Sequence, residues 1–498
     1  MKAAAFTLLV ATFFASRALL LLTSSATNQN WEEPVFLFSS LELQREGVHR
    51  VWDYQDDLDH GGSVPLLLLG TLWLRWWEPS VLALKWLELM WWTAAFVCFL
   101  WAMVSLFSLR AAVVGGFLWI GASPNLARLQ VTLVGSHPES VLPALCATAL
   151  LARQSGKGRT TGFSCFVVGW LATVAAWMSY ATALWSVAIL ACLLTQFFRL
   201  RCLGAAMAGV GIGVLPWLYQ NIYRRPYGWF AWTERLSLPE TISGNVQPPN
   251  AWGSLSYVAD AWGAGDTGVW LTIAFVLLAL VLAVALGSSR PAPPPVRAPR
   301  VIWSLFAAAL LSAMALTFSR IVPLPNEGYY FARFFAPLQV LLFTLAAGGV
   351  DVLAQAGGRW LAVVANVVAA ALGVYQLVPL YGHGVAETNF RQEWLRGCLV
   401  FGAAEFTRAS SPERAYERLE RLGDPDCRER AFHGLGWSLA DEYRRRGLTP
   451  QIERVLGHAS DPKVRRAICG GLHFVLTRAP GAEQPRAFPA ELKPLCPP

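Results

Sequence analysis

Charge is scarce in this chain: only 14% of its 498 residues are Asp, Glu, Lys or Arg. A soluble domain carries about a quarter, so an ordinary soluble protein is excluded. Cysteine patterns for metal are missing as well. The nine cysteines form no C-x-x-C pair and no zinc spacing, which argues against a zinc module or a thioredoxin-like site. Nor does the net charge of +8 indicate a nucleic-acid partner, because the excess Arg sits in short loops between apolar runs, where it reads as a topology signal.

What is present is apolar. The chain is 55% hydrophobic with 23 Trp and a mean hydropathy of +0.42. A spanning helix needs about 20 apolar residues. On that criterion about eleven segments qualify, at 4–23, 82–107, 110–123, 138–152, 162–179, 180–197, 203–221, 269–287, 301–319, 331–350 and 359–380. The third and fourth are short, which suits tilted, broken or re-entrant segments. The first reads as a retained helix rather than a cleaved signal, since Arg17 interrupts a run that is long for a signal core. Arg110, Arg153, Lys157, Arg159, Arg199, Arg201, Arg290, Arg297 and Arg300 then share one side, which is cytoplasmic by the positive-inside rule. The expected fold is an α-helical polytopic membrane domain over 1–381, with extracytoplasmic loops at 24–81 and 222–268, followed by a soluble helical domain over 382–498, also extracytoplasmic. A bacterial inner membrane is the expected location.

The tail repeats itself weakly. Arg391-Gln-Glu-Trp-Leu-Arg-Gly397, Arg428-Glu-Arg-Ala-Phe-His-Gly434 and Arg465-Arg-Ala-Ile-Cys-Gly-Gly471 recur about every 37 residues, and Asp424-Pro425 recurs as Asp461-Pro462. Such a period predicts stacked helical hairpins that bury one another's apolar faces. His433 and His473 read as packing or surface positions. Cys398, Cys427, Cys469 and Cys496 can pair if the tail faces an oxidising compartment. Cys98, Cys146, Cys165 and Cys192 lie in apolar segments, where a thiol acts as a small hydrophobe.

After the first apolar segment comes Asn30-Trp-Glu-Glu-Pro-Val-Phe-Leu-Phe-Ser-Ser-Leu-Glu-Leu-Gln-Arg-Glu-Gly47. Pro34 suits the first turn of a helix and Gly47 its end. Val35, Leu37, Phe38 and Leu41 give an apolar side that suits a helix lying on the membrane surface, with Glu32 and Glu33 at its positive end. The loop holds eight acids against Arg45 and Arg50. Within it, Asp57-Leu-Asp-His60 offers oxygen and imidazole ligands that suit Mn or Mg. The same side chains also suit capping of a helix starting near Ser63, or contact with Arg75 or Lys85.

Helix, acidic pair, surface helix, acidic turn and then Pro65-Leu-Leu-Leu-Leu-Gly-Thr-Leu-Trp-Leu-Arg-Trp-Trp-Glu-Pro-Ser-Val-Leu-Ala-Leu-Lys85 together resemble the start of the GT-C superfamily of polytopic membrane glycosyltransferases, nearest the protein-mannosyltransferase and aminoarabinose-transferase type. The resemblance covers the layout of the first 380 or so residues. It departs in having Glu-Glu for the usual Asp-Glu, and His60-Gly-Gly-Ser-Val-Pro65 where Lys-Pro-Pro is common. It implies that Glu32 or Glu33 is the catalytic base, that His137 and Glu139 in the next outward loop bind substrate, and that Arg333 in Tyr329-Tyr-Phe-Ala-Arg-Phe-Phe-Ala-Pro337 contacts a phosphate. Each has a plainer reading: Glu139 after Pro138 suits a helix N-terminus, and Arg333 suits snorkelling at a membrane boundary.

The implied function is transfer of a sugar from a polyprenyl-phosphate donor to a glycan, lipid or protein acceptor, with inversion. One carboxylate takes the acceptor proton, and Arg meets the leaving phosphate with paired hydrogen bonds. No cofactor is assigned, and Asp57, Asp59 and His60 offer ligands for a divalent metal, Mn or Mg. The competing class is a non-catalytic or transport protein that binds lipid and recruits partners through its tail. Transport predicts ionisable residues inside the helices, of which Arg17 is the clearest.

Overall fold

The computed structural model describes residues 2–24, 32–49, 51, 63–77, 81–121, 123–135, 137–157, 160–197, 200–219, 266–288, 296–318, 328–356, 363, 367, 398–399, 402, 412–422, 425–447, 450–477 and 488–496. Among them every regular element is helical and no strand occurs. The first ten helices are α1 (Lys2–Ser24), α2 (Glu32–Glu46), α3 (Val64–Trp73), α4 (Val81–Leu106), α5 (Leu109–Ile120), α6 (Pro124–Leu129), α7 (Val141–Lys157), α8 (Gly162–Met178), α9 (Tyr180–Gln196) and α10 (Leu200–Leu218). Then follow α11 (Asp266–Ser288), α12 (Pro299–Phe318), α13 (Gly328–Ala356), α14 (Pro412–Glu420), α15 (Pro425–Arg446), α16 (Pro450–His458) and α17 (Pro462–Thr477).

Five of these helices are long and apolar enough to cross a membrane, over Ala3–Leu22, Leu82–Leu106, Leu200–Leu218, Trp270–Ser288 and Arg333–Gln355. Shorter apolar helices lie at Val64–Trp73, Leu109–Ile120, Gly162–Met178, Tyr180–Gln196 and Pro299–Met314. The chain is a helical membrane protein. The last apolar segment of the sequence, 359–380, lies outside the described residues apart from Val363 and Val367.

Two compact units divide the chain. One comprises Met1–Ser25, Asp57–Leu66 and Lys85–Gly384, the other Ala26–Asp56, Leu67–Leu84 and Val385–Pro498. The core of the first is aromatic where α1, α4 and α5 meet. Phe13 stacks on Phe96 at 4.7 Å, and Trp119 packs against Phe99 at 4.7 Å and against Phe96 at 5.8 Å. Small residues set its closest crossing. A Cβ on Gly209 of α10 would overlap the carbonyl of Phe166 in α8, and one on Gly213 would meet Thr173. Lipid supplies little hydrophobic drive between helices, so close backbone approach through glycine supplies the attraction.

That crossing corrects the expectation for Cys165, which is bonded to Cys202 with Cα atoms 5.6 Å apart. One intervening helix makes α8 and α10 run the same way. Their first turns therefore meet, and the glycine contact brings them within disulfide reach.

In the second unit α2 ends at Gly47, whose φ of 101° needs no Cβ and whose N–H donates to the Leu43 carbonyl at 3.0 Å. Among its described side chains the helix buries Glu33, Phe36, Leu37, Ser39, Ser40 and Leu43, so polar residues share its buried side. The reason lies in α3: Gly70 leaves room for the Ser40 hydroxyl, and the Gln44 amide donates to the Thr71 carbonyl at 2.8 Å. Polar residues of α2 thus face another helix.

Further along, α14, α15, α16 and α17 each begin on proline, whose missing N–H is no loss in a first turn. Asp461 caps α17 by accepting from the Lys463 N–H at 2.8 Å. Crossing of α15 with α17 again depends on glycine, since a Cβ on Gly436 or Gly471 would overlap the carbonyl of Ile468 or His433. Around it pack Phe432, Leu435, Leu439, Ile452, Leu456, Ile468 and Leu472. Disulfides Cys398–Cys427 and Cys469–Cys496 fasten this core.

Candidate functional site

The stretch from Gly121 to Ser140 carries two of the candidate residues, His137 and Glu139. Pro124 opens α6, and Ser123 caps it by accepting the Leu126 N–H at 3.2 Å. The Ser123 hydroxyl also accepts from Gln339 of α13 at 3.4 Å. Beyond α6 the backbone is irregular, yet Val131 to Gly135 are buried. Irregular backbone survives at membrane depth only where protein satisfies its polar groups.

Two side chains, Lys85 and Glu139, do so, and a third, Arg17, ties Gln130 to the end of α5. The Arg17 Nε donates to Gln130 Oε1 at 2.6 Å, and its Nη2 donates to the carbonyl of Ile120 at 2.8 Å. Arg17 therefore closes the C-terminal end of α5, where the helix dipole favours a cation. Lys85 Nζ donates to the Val131 carbonyl at 3.4 Å. Glu139 Oε1 accepts both the Val134 and the Gly135 N–H, at 2.9 and 2.8 Å. Gly135 has φ 100°, which only glycine adopts without strain.

His137 and Arg333 come together. The His137 Nδ1 lies 3.0 Å from the Ser179 Oγ, and its ring packs on Phe334 at 4.4 Å. The Arg333 guanidinium covers the same Phe334 at 4.8 Å. Ser179 is held by its own role: it ends α8 and caps α9 through the Ala181 N–H. Burial first, and then the positive charge of Arg333, hold the His137 imidazole well below its ordinary pKa. At neutral pH the pair is a neutral imidazole beside a permanent cation. Such a pair has several donors and one net positive charge, suited to an anion.

Glu139 borders this pair in sequence, and its Oε1 accepts from two backbone amides, which helps to shape the loop. Its backbone carbonyl in turn accepts from Trp91 Nε1 of α4 at 2.9 Å. Glu33 is buried in the first turn of α2. The Glu32 side chain, Asp57, Asp59 and His60 lie outside the described residues. Among the described residues no group of three His, Cys, Asp or Glu side chains is placed to hold a metal.

Sequence reasoning passed over Glu88. Lys85 and Glu88 are both buried, three residues apart on α4, and hence on neighbouring positions of one helix surface. Two charges inside an apolar run were the available signal.

Comparison with protein-family models and with curated proteins gives no match for this chain.

Proposed function

We propose that the protein is an inverting membrane glycosyltransferase that moves a sugar from a polyprenyl-phosphate donor to an acceptor hydroxyl on the extracytoplasmic face. The observation that carries this reading is Arg333, buried at the start of a membrane-spanning helix beside neutral His137. A lipid-linked phosphate keeps its chain in the bilayer and its charge at the boundary, so its cationic partner belongs at a helix end of this kind. Glu33, or its neighbour Glu32, takes the acceptor proton. The acceptor oxygen then bonds to the anomeric carbon as the bond from that carbon to the phosphate oxygen breaks. The phosphate leaves with that electron pair and is met by Arg333. Glu139 keeps the loop in shape and takes no proton.

The wider reading has eleven membrane helices, the tail as a helical-repeat domain on the same outer side, and a bacterial inner membrane as its setting. Asp57, Asp59 and His60 would supply ligands if a divalent metal takes part. Protein reconstituted with polyprenyl-phosphate hexoses and assayed for released polyprenyl phosphate tests the reaction. Glu33→Gln or Glu32→Gln lowers turnover by about 100-fold or more, the contribution typical of a general base, with the thermal melt unchanged. Full turnover in both single variants and in the double variant would sink the assignment.

Buried Lys85 and Glu88 on α4 favour one competitor, transport of a charged lipid. In that case Lys85→Met stops movement of the lipid between leaflets and no sugar is transferred by the unaltered protein.

A further inference from the structure

Cys98 on α4 and Cys146 on α7 are both free and partly exposed, and their sulfurs lie 3.0 Å apart. Non-bonded heavy atoms settle at about 3.5–4.0 Å, and a disulfide measures about 2.05 Å. The two sulfurs are thus already inside ordinary contact and one small side-chain adjustment from a bond. The approach is fixed by contacts on either side. Toward one end of the pair, Trp91 of α4 donates to the Glu139 carbonyl at 2.9 Å. Toward the other, the Arg153 guanidinium of α7 lies over Trp101 of α4 at 5.9 Å. In both sequences the numbers rise together, 91 to 98 to 101 against 139 to 146 to 153, so α4 and α7 run side by side in one direction and the cysteines face each other in register. Cys146 is five residues from Val141, the start of α7, which is about 8 Å at 1.5 Å per residue. The pair lies just below the loop that bears His137 and Glu139.

We infer that Cys98 and Cys146 form a disulfide that ties α4 to α7 under this loop. Formation breaks both S–H bonds and makes one S–S bond, releasing two protons and two electrons. A quinone dissolved in the bilayer accepts them and becomes the quinol. An oxidant of that kind reaches side chains at bilayer depth, and both thiols are partly exposed. Cys192 serves as the internal contrast, being buried, without a bonded cysteine, and accepting from Gln196 Nε2 at 3.0 Å. The bridge would fix the Trp91 contact that positions Glu139, and it holds whether or not the proposed sugar transfer is correct.

The test uses the full chain in its native membranes, quenched with N-ethylmaleimide, denatured without reductant and mapped by peptide mass spectrometry. Nine cysteines less the six in three disulfides leave three for labelling. Less eight, they leave one. The expected result is one adduct, on Cys192, with the Cys98 and Cys146 peptides recovered linked. Cys98→Ser should raise the count to two, the new adduct on Cys146, and Cys98→Ser with Cys146→Ser should return it to one. Adducts on both Cys98 and Cys146 in the unaltered protein overturn the inference, as does recovery of either one linked to another cysteine.

Discussion

The α8–α10 crossing in the first unit and the α15–α17 crossing in the second are made alike, from glycines that let one helix touch the other's carbonyls, with a disulfide close by in each. Their surroundings differ. The tail crossing also gathers a layer of Phe, Leu and Ile, and burial of that layer supplies a hydrophobic drive. The membrane crossing has no such drive, because lipid is as apolar as leucine, and it depends on fit and on satisfied polar groups. One device therefore serves two energetic regimes, and damage to it should read differently in each.

The largest effect is expected from filling the glycine contacts. Gly471→Leu forces α15 and α17 apart and should cost the tail about 3 kcal/mol or more, seen as loss of its cooperative thermal transition. Gly209→Leu should cost about 1–3 kcal/mol, seen as a lower melting temperature of the detergent-solubilised protein with helical content retained. Equal losses from both would end the distinction drawn here.

Arg17→Met comes next. It strands the Gln130 amide oxygen and the last carbonyls of α5, and hydrogen bonds to a charged group contribute about 1.5–3 kcal/mol each. A destabilisation of about 3 kcal/mol in the first unit, with the tail transition unmoved, is the expected outcome in a two-transition melt. Removal of a tail disulfide, as in Cys398→Ser with Cys427→Ser, should cost about 2–4 kcal/mol, because the bridge restricts the unfolded chain. The same change at Cys165 and Cys202 should cost less, since a chain unfolded within the bilayer keeps its helices and gains little freedom. Denaturant midpoints of the two double variants decide it.

The smallest effect is that of pH. His137 and His433 both titrate below the ordinary value near 6.5, each chiefly by burial and then by an arginine, Arg333 in one case and Arg430 in the other. Folding favours the neutral ring, so each histidine contributes its full stability above about pH 6.5 and loses it as the pH falls toward the depressed value. Melts from pH 7.5 to pH 5 should therefore fall in both units. His433→Gln should flatten the tail's response alone. A rise in stability on acidification would contradict the sign.

Reading the sequence reached a good part of this. Among the described residues the apolar runs of spanning length are helices in the structure, Pro34 lies in the first turn of α2, and Gly47 ends it. Candidates within one loop, His137 and Glu139, could be named from the resemblance to the GT-C superfamily. What they do could not. Glu139 and His137 are two residues apart, yet one carboxylate oxygen turns back to amides of its own loop while the imidazole reaches a serine between α8 and α9 and a phenylalanine on α13. No local pattern separates those outcomes. Cys165 likewise sits in an apolar run that gives no hint of Cys202, since their meeting depends on which helices pack in parallel.

By itself the sequence determined which segments are long and apolar enough to cross a membrane, because hydropathy and the cost of unsatisfied backbone in lipid are properties of short segments. It also determined where helices start and stop, which proline, serine and glycine decide within a turn. Only the tertiary structure decided that Arg17 closes a helix and that Glu139 holds a loop. Only there, too, do Arg333 and His137 share one aromatic ring, because each of these needs partners brought from far along the chain by the packing of whole helices.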